Sequence, residues 1–277
     1  VLLDSELIIR LGVFAAVFAS LAALESAIPR RRAALSRQQR WPGAAAIFVA
    51  GAVLGRLVLP VGLAGLALFA GQRGVGLFNL IDIPVWLVGT LAFLILDLAV
   101  WAQHVAMHRV PVLWRMHRVH HSDPHIDVMT ALRFHPAEIL VSLVWKGAVV
   151  IAFGLPAWAA FFFEVALNAF AQFNHTNVAL PRKMDSVLRA LIVTPDMHRV
   201  HHSVHWAEAN RNFGFCLSVW DRVFRVYKAQ PDEGHQAMKI GQHEWRAPGD
   251  QRPIRLILQP LKQDETQSST GRDAPGS

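Results

Sequence analysis

Cysteine occurs once, at Cys216, in a chain of 277 residues. A single thiol excludes an internal disulfide framework, a four-cysteine zinc site and a self-contained iron–sulfur cluster. Charge is also scarce. Asp, Glu, Lys and Arg make up 17% of the residues, against about 25% in an average soluble domain. Apolar residues reach 53% and the mean hydropathy is +0.31. These values exclude a disordered chain, a collagen-like chain and an ordinary water-soluble enzyme. No H-E-x-x-H zinc-protease signature occurs, no Glu-x-x-His pair of the soluble di-iron bundles, and no flavin or nicotinamide fingerprint. The net charge is +7. In so apolar a chain this points to loops facing anionic lipid rather than to nucleic acid. What is abundant is histidine, with 14 residues.

A helix needs about 20 apolar residues to cross the hydrocarbon core. Glu6 to Ile28 is a first such stretch, too long and too polar at its start for a signal peptide. A second runs from Gly43 to about Pro60, followed by an apolar piece from Val61 to Ala70; Arg56 and Pro60 interrupt the pattern, so one long helix and a span plus an interfacial segment both fit. A third runs from Pro84 to about Gln103. Pro136 to Phe153 and Ala157 to Phe173 read as a hairpin turning at Gly154-Leu155-Pro156. The first connection carries Arg30, Arg31, Arg32, Arg37 and Arg40, whereas the second carries only Arg73 and an opposing Asp82. The positive-inside rule then puts the first connection in the cytoplasm, and every histidine cluster on that same face. Within the hairpin, Lys146 and Glu164 each lie nine residues from Leu155. An isolated charge at mid-bilayer costs about 2.5–3.5 kcal/mol, so these two are predicted to pair, chiefly as a structural clamp, with a role in a substrate path as the lesser reading.

Three histidine clusters follow. His104 and His108 form H-x-x-x-H. His117, His120 and His121 form H-x-x-H-H, and so do His198, His201 and His202. The seven residues 116–122 and 197–203 are identical, MHRVHHS. On a helix, positions i, i+3 and i+4 share a face, so each H-x-x-H-H is expected to present three imidazoles in one direction. Eight imidazoles at one place cannot all be charged; neutral imidazole is a metal ligand, and coordination relieves the crowding. Eight ligands imply two metals, or one site with bystanders. His175 and His135, at the membrane face beside the hairpin, are further candidates, with hydrogen bonding as the alternative role of His135. His125 and His205 read as supporting or surface residues, and His235 and His243 as solvated surface residues. Ligand type leaves iron and zinc both open.

The three boxes, spread among membrane helices, resemble the fatty acid hydroxylase superfamily, also called the sterol desaturase family. The flanks carry the resemblance further: Asp97 seven residues before His104, the stretch Trp114 to Ser122, Arg133-Phe134-His135-Pro136-Ala137-Glu138, Thr194-Pro195 before the last box, Asn212-Phe213-Gly214, and Trp220-Asp221-Arg222-Val223-Phe224. The likeness covers about Pro84 to Tyr227. Val105 and Phe224-Arg225-Val226-Tyr227 depart from the usual pattern and touch no expected ligand. The resemblance implies a membrane-bound non-haem di-iron oxygenase, with two iron ions (zinc a possible substitute in purified protein) held by His104, His108, His117, His120, His121, His198, His201 and His202, and by His175. It implies O2 and a C–H bond of a lipid as reactants. Electrons come from an external donor, ferredoxin or cytochrome b5-like, since no such domain is expected within the chain. Asp97 is expected to accept an N–H bond from a ligand histidine, with helix packing as its other reading, and Asp221 to act in the same way. Trp220, Phe224 and Tyr227 read as an interfacial anchor.

The expected architecture is all-α: a polytopic integral membrane bundle of about 4–6 transmembrane helices with a cytoplasmic helical cap holding the dimetal site, in the inner or plasma membrane if bacterial. Residues 1–83 form N-terminal membrane segments, 84–228 the catalytic domain and 229–277 a polar tail. The tail is expected to be disordered from about Asp250, most firmly over 263–277. Hydroxylation, desaturation and ether-lipid cleavage are not separated by the boxes. A histidine-based zinc transporter or sensor is the reading from a different class, and transport would place ionisable groups nearer mid-membrane.

Overall fold

The computed structural model describes residues 2–262. Seven principal helices set the frame: α1 (Leu2–Ala27), α2 (Arg37–Val58), α3 (Gly62–Gln72), α4 (Val85–Arg109), α5 (Pro111–His121), α6 (Pro136–Phe153) and α7 (Ala157–His175). Two short helices follow, α8 (Arg182–Leu188) and α9 (Pro195–His201), then helical turns out to residue 261. Among the described residues no strand occurs; three isolated bridges are the only extended pairings. Four helical runs are long and apolar enough to cross a membrane: Glu6–Ala27, Arg37–Gln72, Val85–Arg109 and Pro136–Phe153. Side chains such as Ile8, Leu57, Trp86 and Val144 stand about 70% exposed along them, an apolar girdle that belongs against lipid. The chain is an all-helical integral membrane protein. The interrupted apolar stretch after Gly43 resolves into two helices, with Leu59 to Val61 between α2 and α3.

The boundaries follow local chemistry. Val110 precedes Pro111 and adopts an extended conformation (φ −96°, ψ 116°), so α4 stops there and α5 starts with proline at its first position. His135 caps α6, its Nδ1 accepting the Ala137 N–H at 3.2 Å, and Pro136 opens the helix. Gly154 closes α6 in the left-handed region (φ 63°), where a residue without Cβ is unstrained. Thr194 caps α9 through the Met197 N–H.

Packing relies on small residues, as close helix contact in lipid requires. Gly51 and Gly55 lie buried on the face of α2 that meets α6; a Cβ on either would stand 3.0 Å from Ile139 or Leu143. The arms of the α6–α7 hairpin diverge. Helices α3 and α4 pack against both arms, α2 covers α6, and α1 covers α7. Across the gap Lys146 Nζ lies 3.5 Å from Glu164 Oε1, the pairing predicted from their register, and Arg10 of α1 joins at 2.9 Å from Glu164 Oε2.

Buried arginines tie the segments on which the histidines lie. Arg40 binds Asp123 at 2.9 Å, Asp127, and the His125 carbonyl at 3.0 Å. Arg133 donates to the Val119 carbonyl, Ser122 Oγ and Gln251 Oε1 at 2.7–2.9 Å. Two readings of the C-terminal part require correction. The stretch from Asp250 is polar in composition, yet residues 250–262 form packed helical turns. Gln251, Leu256 and Gln259 are buried there; Arg118 donates to the Gln259 carbonyl and Ser122 to its side chain. The side chains of Gln251 and Gln259 serve as partners for buried Arg133 and Ser122, which composition cannot register. The remaining tail residues, 263–277, lie outside the described residues. His235, expected at the solvated surface, is buried, with Nε2 3.5 Å from Asp196 Oδ2, whereas His243 is exposed.

Candidate metal centre

Four helices deliver nine imidazoles to one buried place. His104 and His108 lie in the last turns of α4, His117, His120 and His121 on α5, and His175 at the end of α7. His198 and His201 lie on α9, and His202 directly follows it. All nine are essentially inaccessible to solvent. Their ligand atoms divide into two sets, each with all atoms within 4.8 Å of one another: His104, His108, His117, His121 and His201 in one, and His120, His175, His198 and His202 in the other.

This division corrects the expectation that each H-x-x-H-H points one way. Each box sends its first and last histidines to one set and its middle histidine to the other. His117 and His121 meet His201, and His198 and His202 meet His120. Adjacent residues on a helix point about 100° apart, so His120 and His121 cannot share a target once the target lies close to the helix. The identical heptapeptides therefore exchange their middle residues. His104 and His108 complete one set and His175 the other, which is why they hold five and four.

The nitrogen spacing fits coordination. Nε2 of His104 lies 3.1 Å from Nε2 of His117, and Nε2 of His108 lies 3.1 Å from that of His121. In the other set His175 Nε2 lies 3.0 Å from His120 Nε2 and 3.1 Å from His198 Nε2, with His202 Nε2 3.3 Å from His198 Nε2. Two nitrogens each about 2.1 Å from one cation stand about 3.0 Å apart at a right angle and about 3.4 Å apart at the tetrahedral angle. Four imidazoles hold their outward proton by a hydrogen bond through Nδ1: His104 to the Phe213 carbonyl at 2.7 Å, His117 to Glu138 Oε1 at 2.7 Å, His175 to the Ala171 carbonyl at 2.6 Å and His201 to the Arg211 carbonyl at 2.8 Å. This fixes the tautomer that leaves Nε2 as a free donor. Nε2 of His201 is buried with no hydrogen-bond partner at all. Burial, and then the neighbouring imidazoles, hold His120, His121, His198 and His202 well below the usual histidine range; burial first and then His117 push His201 down to about 3. These rings are neutral at physiological pH, the state in which imidazole binds metal. An all-nitrogen donor set with no thiolate within it suits iron, zinc, copper or nickel.

The other candidates fall elsewhere. His135 acts as the α6 cap and belongs to neither set. His125 is buried beneath the site, offering its carbonyl to Arg40, and His205 is exposed beside Glu233. Asp97 accepts no histidine. Its oxygens take the Cys216 and Leu217 N–H groups at 3.3 and 3.2 Å and Trp220 Nε1 at 2.9 Å. It faces the 213–220 loop because that loop, rather than α5, lies over its side of α4. Asp221 also accepts no histidine; it takes Trp101 Nε1 and the Phe213 and Gly214 N–H groups at 2.8–3.0 Å, and so holds the residue whose carbonyl orients His104. Burial raises Asp221 to about 6. Trp220 and Phe224 join this loop anchor, Trp220 donating to Asp97 and the half-exposed Phe224 stacking on Trp101 at 4.4 Å. The acid that does orient a histidine is Glu138. The sequence shows Glu138 only within the Arg133 to Glu138 stretch; its place three residues after the cap His135, in the first turn of α6, is the signal that points to it.

A cavity of about 170 Å³ reaches His104 and His117 from the bundle side. Met107, Phe134, Leu167 and Phe215 line it with Gln103, Glu138, Ser142 and Asn168. Its walls are mainly apolar, and its depth lies between α2, α4, α6 and α7.

Residues 89–226 match the fatty acid hydroxylase family model. An alkylglycerol monooxygenase of Danio rerio is 28% identical over 160 residues, 56% of this chain and 34% of that protein. An ornithine lipid hydroxylase of Rhizobium tropici is 30% identical over 142 residues, 51% of this chain and 42% of that protein. The alkylglycerol monooxygenase of Homo sapiens is 27% identical over 143 residues, 51% of this chain and 31% of that protein. The chain thus spans between 31% and 42% of the length of these relatives. No solved structure matches it. The chain belongs to the fatty acid hydroxylase superfamily.

Proposed function

We propose that this member of the superfamily holds two iron ions, one in each histidine set, and uses O2 and external electrons to hydroxylate or desaturate a C–H bond of a lipid. The observation that carries this reading is the five-and-four division of the imidazoles at nitrogen spacings that suit two cations side by side. When bound, a pair of redox-active metals supplies the O2 chemistry that attacks an unactivated C–H bond, which no side chain here can do. His104, His108, His117, His121 and His201 would hold one ion, and His120, His175, His198 and His202 the other. Glu138 and the carbonyls of Phe213, Ala171 and Arg211 orient four of the rings. The cavity beside His104 and His117 takes an alkyl segment; Phe134, Leu167 and Phe215 exclude water from it, and Gln103, Glu138, Ser142 and Asn168 are its polar walls.

The named relatives act as a monooxygenase on alkylglycerols and a hydroxylase on ornithine lipids, and lipid oxidation is common to both. Cleavage of an ether lipid after oxygen insertion is a variant of the same reading, favoured by the alkylglycerol relatives. The arginine-rich 30–40 segment near Asp196 and His235 supports a cytoplasmic site and a basic face for a ferredoxin or cytochrome b5-like donor.

The test combines lipid mass spectrometry of cells with and without the gene and metal analysis of protein made in iron-supplied medium. A lipid that gains one oxygen or loses two hydrogens, with close to two metals per chain, is the expected outcome. An unchanged lipid profile together with a metal-free protein overturns the reading.

A further inference from the structure

The Lys146–Glu164 pair lines a cavity, although a pure clamp would be sealed. This space of about 390 Å³ lies between α1, α2, α6 and α7, and Glu6, Arg10, Arg56, Lys146 and Glu164 all face it. Its walls at Ile139, Ser142 and Asn168 are also walls of the cavity at His104 and His117. Helical spacing explains the continuity. On α6, Glu138, Ser142 and Lys146 succeed one another at i, i+4 and i+8, on one face. On α7, Glu164, Asn168, Ala171 and His175 do the same at i, i+4, i+7 and i+11. Each helix therefore carries one face that runs from the imidazoles to the charged group, and the splayed hairpin keeps these faces apart.

The charge in the outer cavity does not balance. Glu164 serves two cations, with Arg10 Nη1 at 2.9 Å and Lys146 Nζ at 3.5 Å. Glu6 binds Arg10 again at 2.6 Å. Arg56 lines the same cavity, and no carboxylate pairs with it among the described residues. Three cations face two carboxylates. Lys146 and Glu164 keep 13% and 17% of their side-chain surface open, so the excess positive charge is presented to whatever enters.

We propose that the two cavities form one substrate passage and that Lys146 and Arg56 form a subsite for the anionic headgroup of a long-chain lipid whose chain runs toward His104 and His117. This deepens the oxygenase reading and rests on it. The eight residues from Glu138 to Lys146 rise about 12 Å. An extended alkyl chain, with C–C bonds of about 1.5 Å at near-tetrahedral angles, covers that in about ten carbons. The oxidised carbon therefore lies well down the chain from the anion.

The passage is tested by binding, on the metal-free chain in nanodiscs of zwitterionic phospholipid, with hexadecyl phosphate, hexadecanol and hexadecyltrimethylammonium as probes. Hexadecyl phosphate is expected to bind about tenfold or more tighter than the other two, the scale of one charge-assisted contact. Lys146→Met with Arg56→Gln removes that preference while leaving hexadecanol binding unchanged, and Lys146→Arg keeps it. Glu164 retains Arg10 in these variants, so the bundle keeps a pair at that depth. Equal binding of the three probes overturns the subsite. So does a Lys146→Met variant that loses phosphate and alcohol binding alike, which is the signature of a clamp. No turnover is involved: a phosphate preference beside an unchanged lipid profile and a protein that takes up no metal leaves the subsite standing and removes the oxygenase reading, and lipid oxidation without the preference does the reverse.

Discussion

Glu138 accepts the Nδ1 proton of His117 at 2.7 Å, and it does so from the first turn of a different helix. This carboxylate faces both ways: through His117 it orients a nitrogen of the five-histidine set, and it also lines the cavity beside that set. Its hydrogen bond holds the imidazole in the tautomer that presents Nε2.

Glu138→Gln is therefore expected to weaken metal retention or activity by about 10- to 100-fold, the usual cost of losing a partner that orients a metal ligand. Metal content after dialysis against a chelator, measured beside thermal stability, checks this. Unchanged retention would mean that His117 needs no such anchor.

The exchange of middle histidines makes a sharper prediction. His120→Ala leaves three imidazoles in the four-membered set, whereas His121→Ala leaves four in the five-membered set. His120→Ala is expected to lower metal content by close to one ion per chain, with a smaller loss in His121→Ala. Equal losses in the two variants would contradict the division.

Asp97→Ala should behave unlike Glu138→Gln. It strips the partner from two buried backbone N–H groups and from Trp220, a loss of roughly 1–3 kcal/mol of stability for each buried donor left unsatisfied. A lower melting temperature is expected, with metal content at saturation unaltered. Selective metal loss without destabilisation would mean that Asp97 supports a ligand histidine after all.

His235 gives a pH signature. Burial pushes it down to about 4, against about 6.5 in the unfolded chain. Between those values the unfolded chain holds the extra proton, so stability falls as pH drops from about 6.5 toward 4. His235→Gln should flatten that part of the melting-temperature profile in detergent. A variant with the parent's slope would show that His235 contributes nothing to it.

Much of this molecule is legible in one dimension. Long apolar runs fix helices in lipid because the bilayer leaves the backbone no other partner than itself. The register of Lys146 and Glu164 about Leu155 is enough to pair them. The repeated MHRVHHS heptapeptide and the H-x-x-x-H before it mark where imidazoles crowd. Other features depend on neighbours distant in the chain. Composition makes residues 250–262 look unstructured, yet the side chains of Gln251 and Gln259 are polar partners for Arg133 and Ser122. Asp97 is the acid that the sequence singles out beside a histidine, yet it is Glu138, in another helix, that reaches one.

By itself, then, the sequence determined an all-helical membrane chain and which imidazoles stand on which helix, because both follow from periodicity and from the solvent the helix must match. Only the tertiary structure decided how the two heptapeptides share their rings, which carboxylate reaches a ligand histidine, and that a charge-lined cavity opens at the hairpin. Those depend on the rotation and separation of packed helices, and a helix carries in its own residues no record of the angle at which its neighbour will meet it.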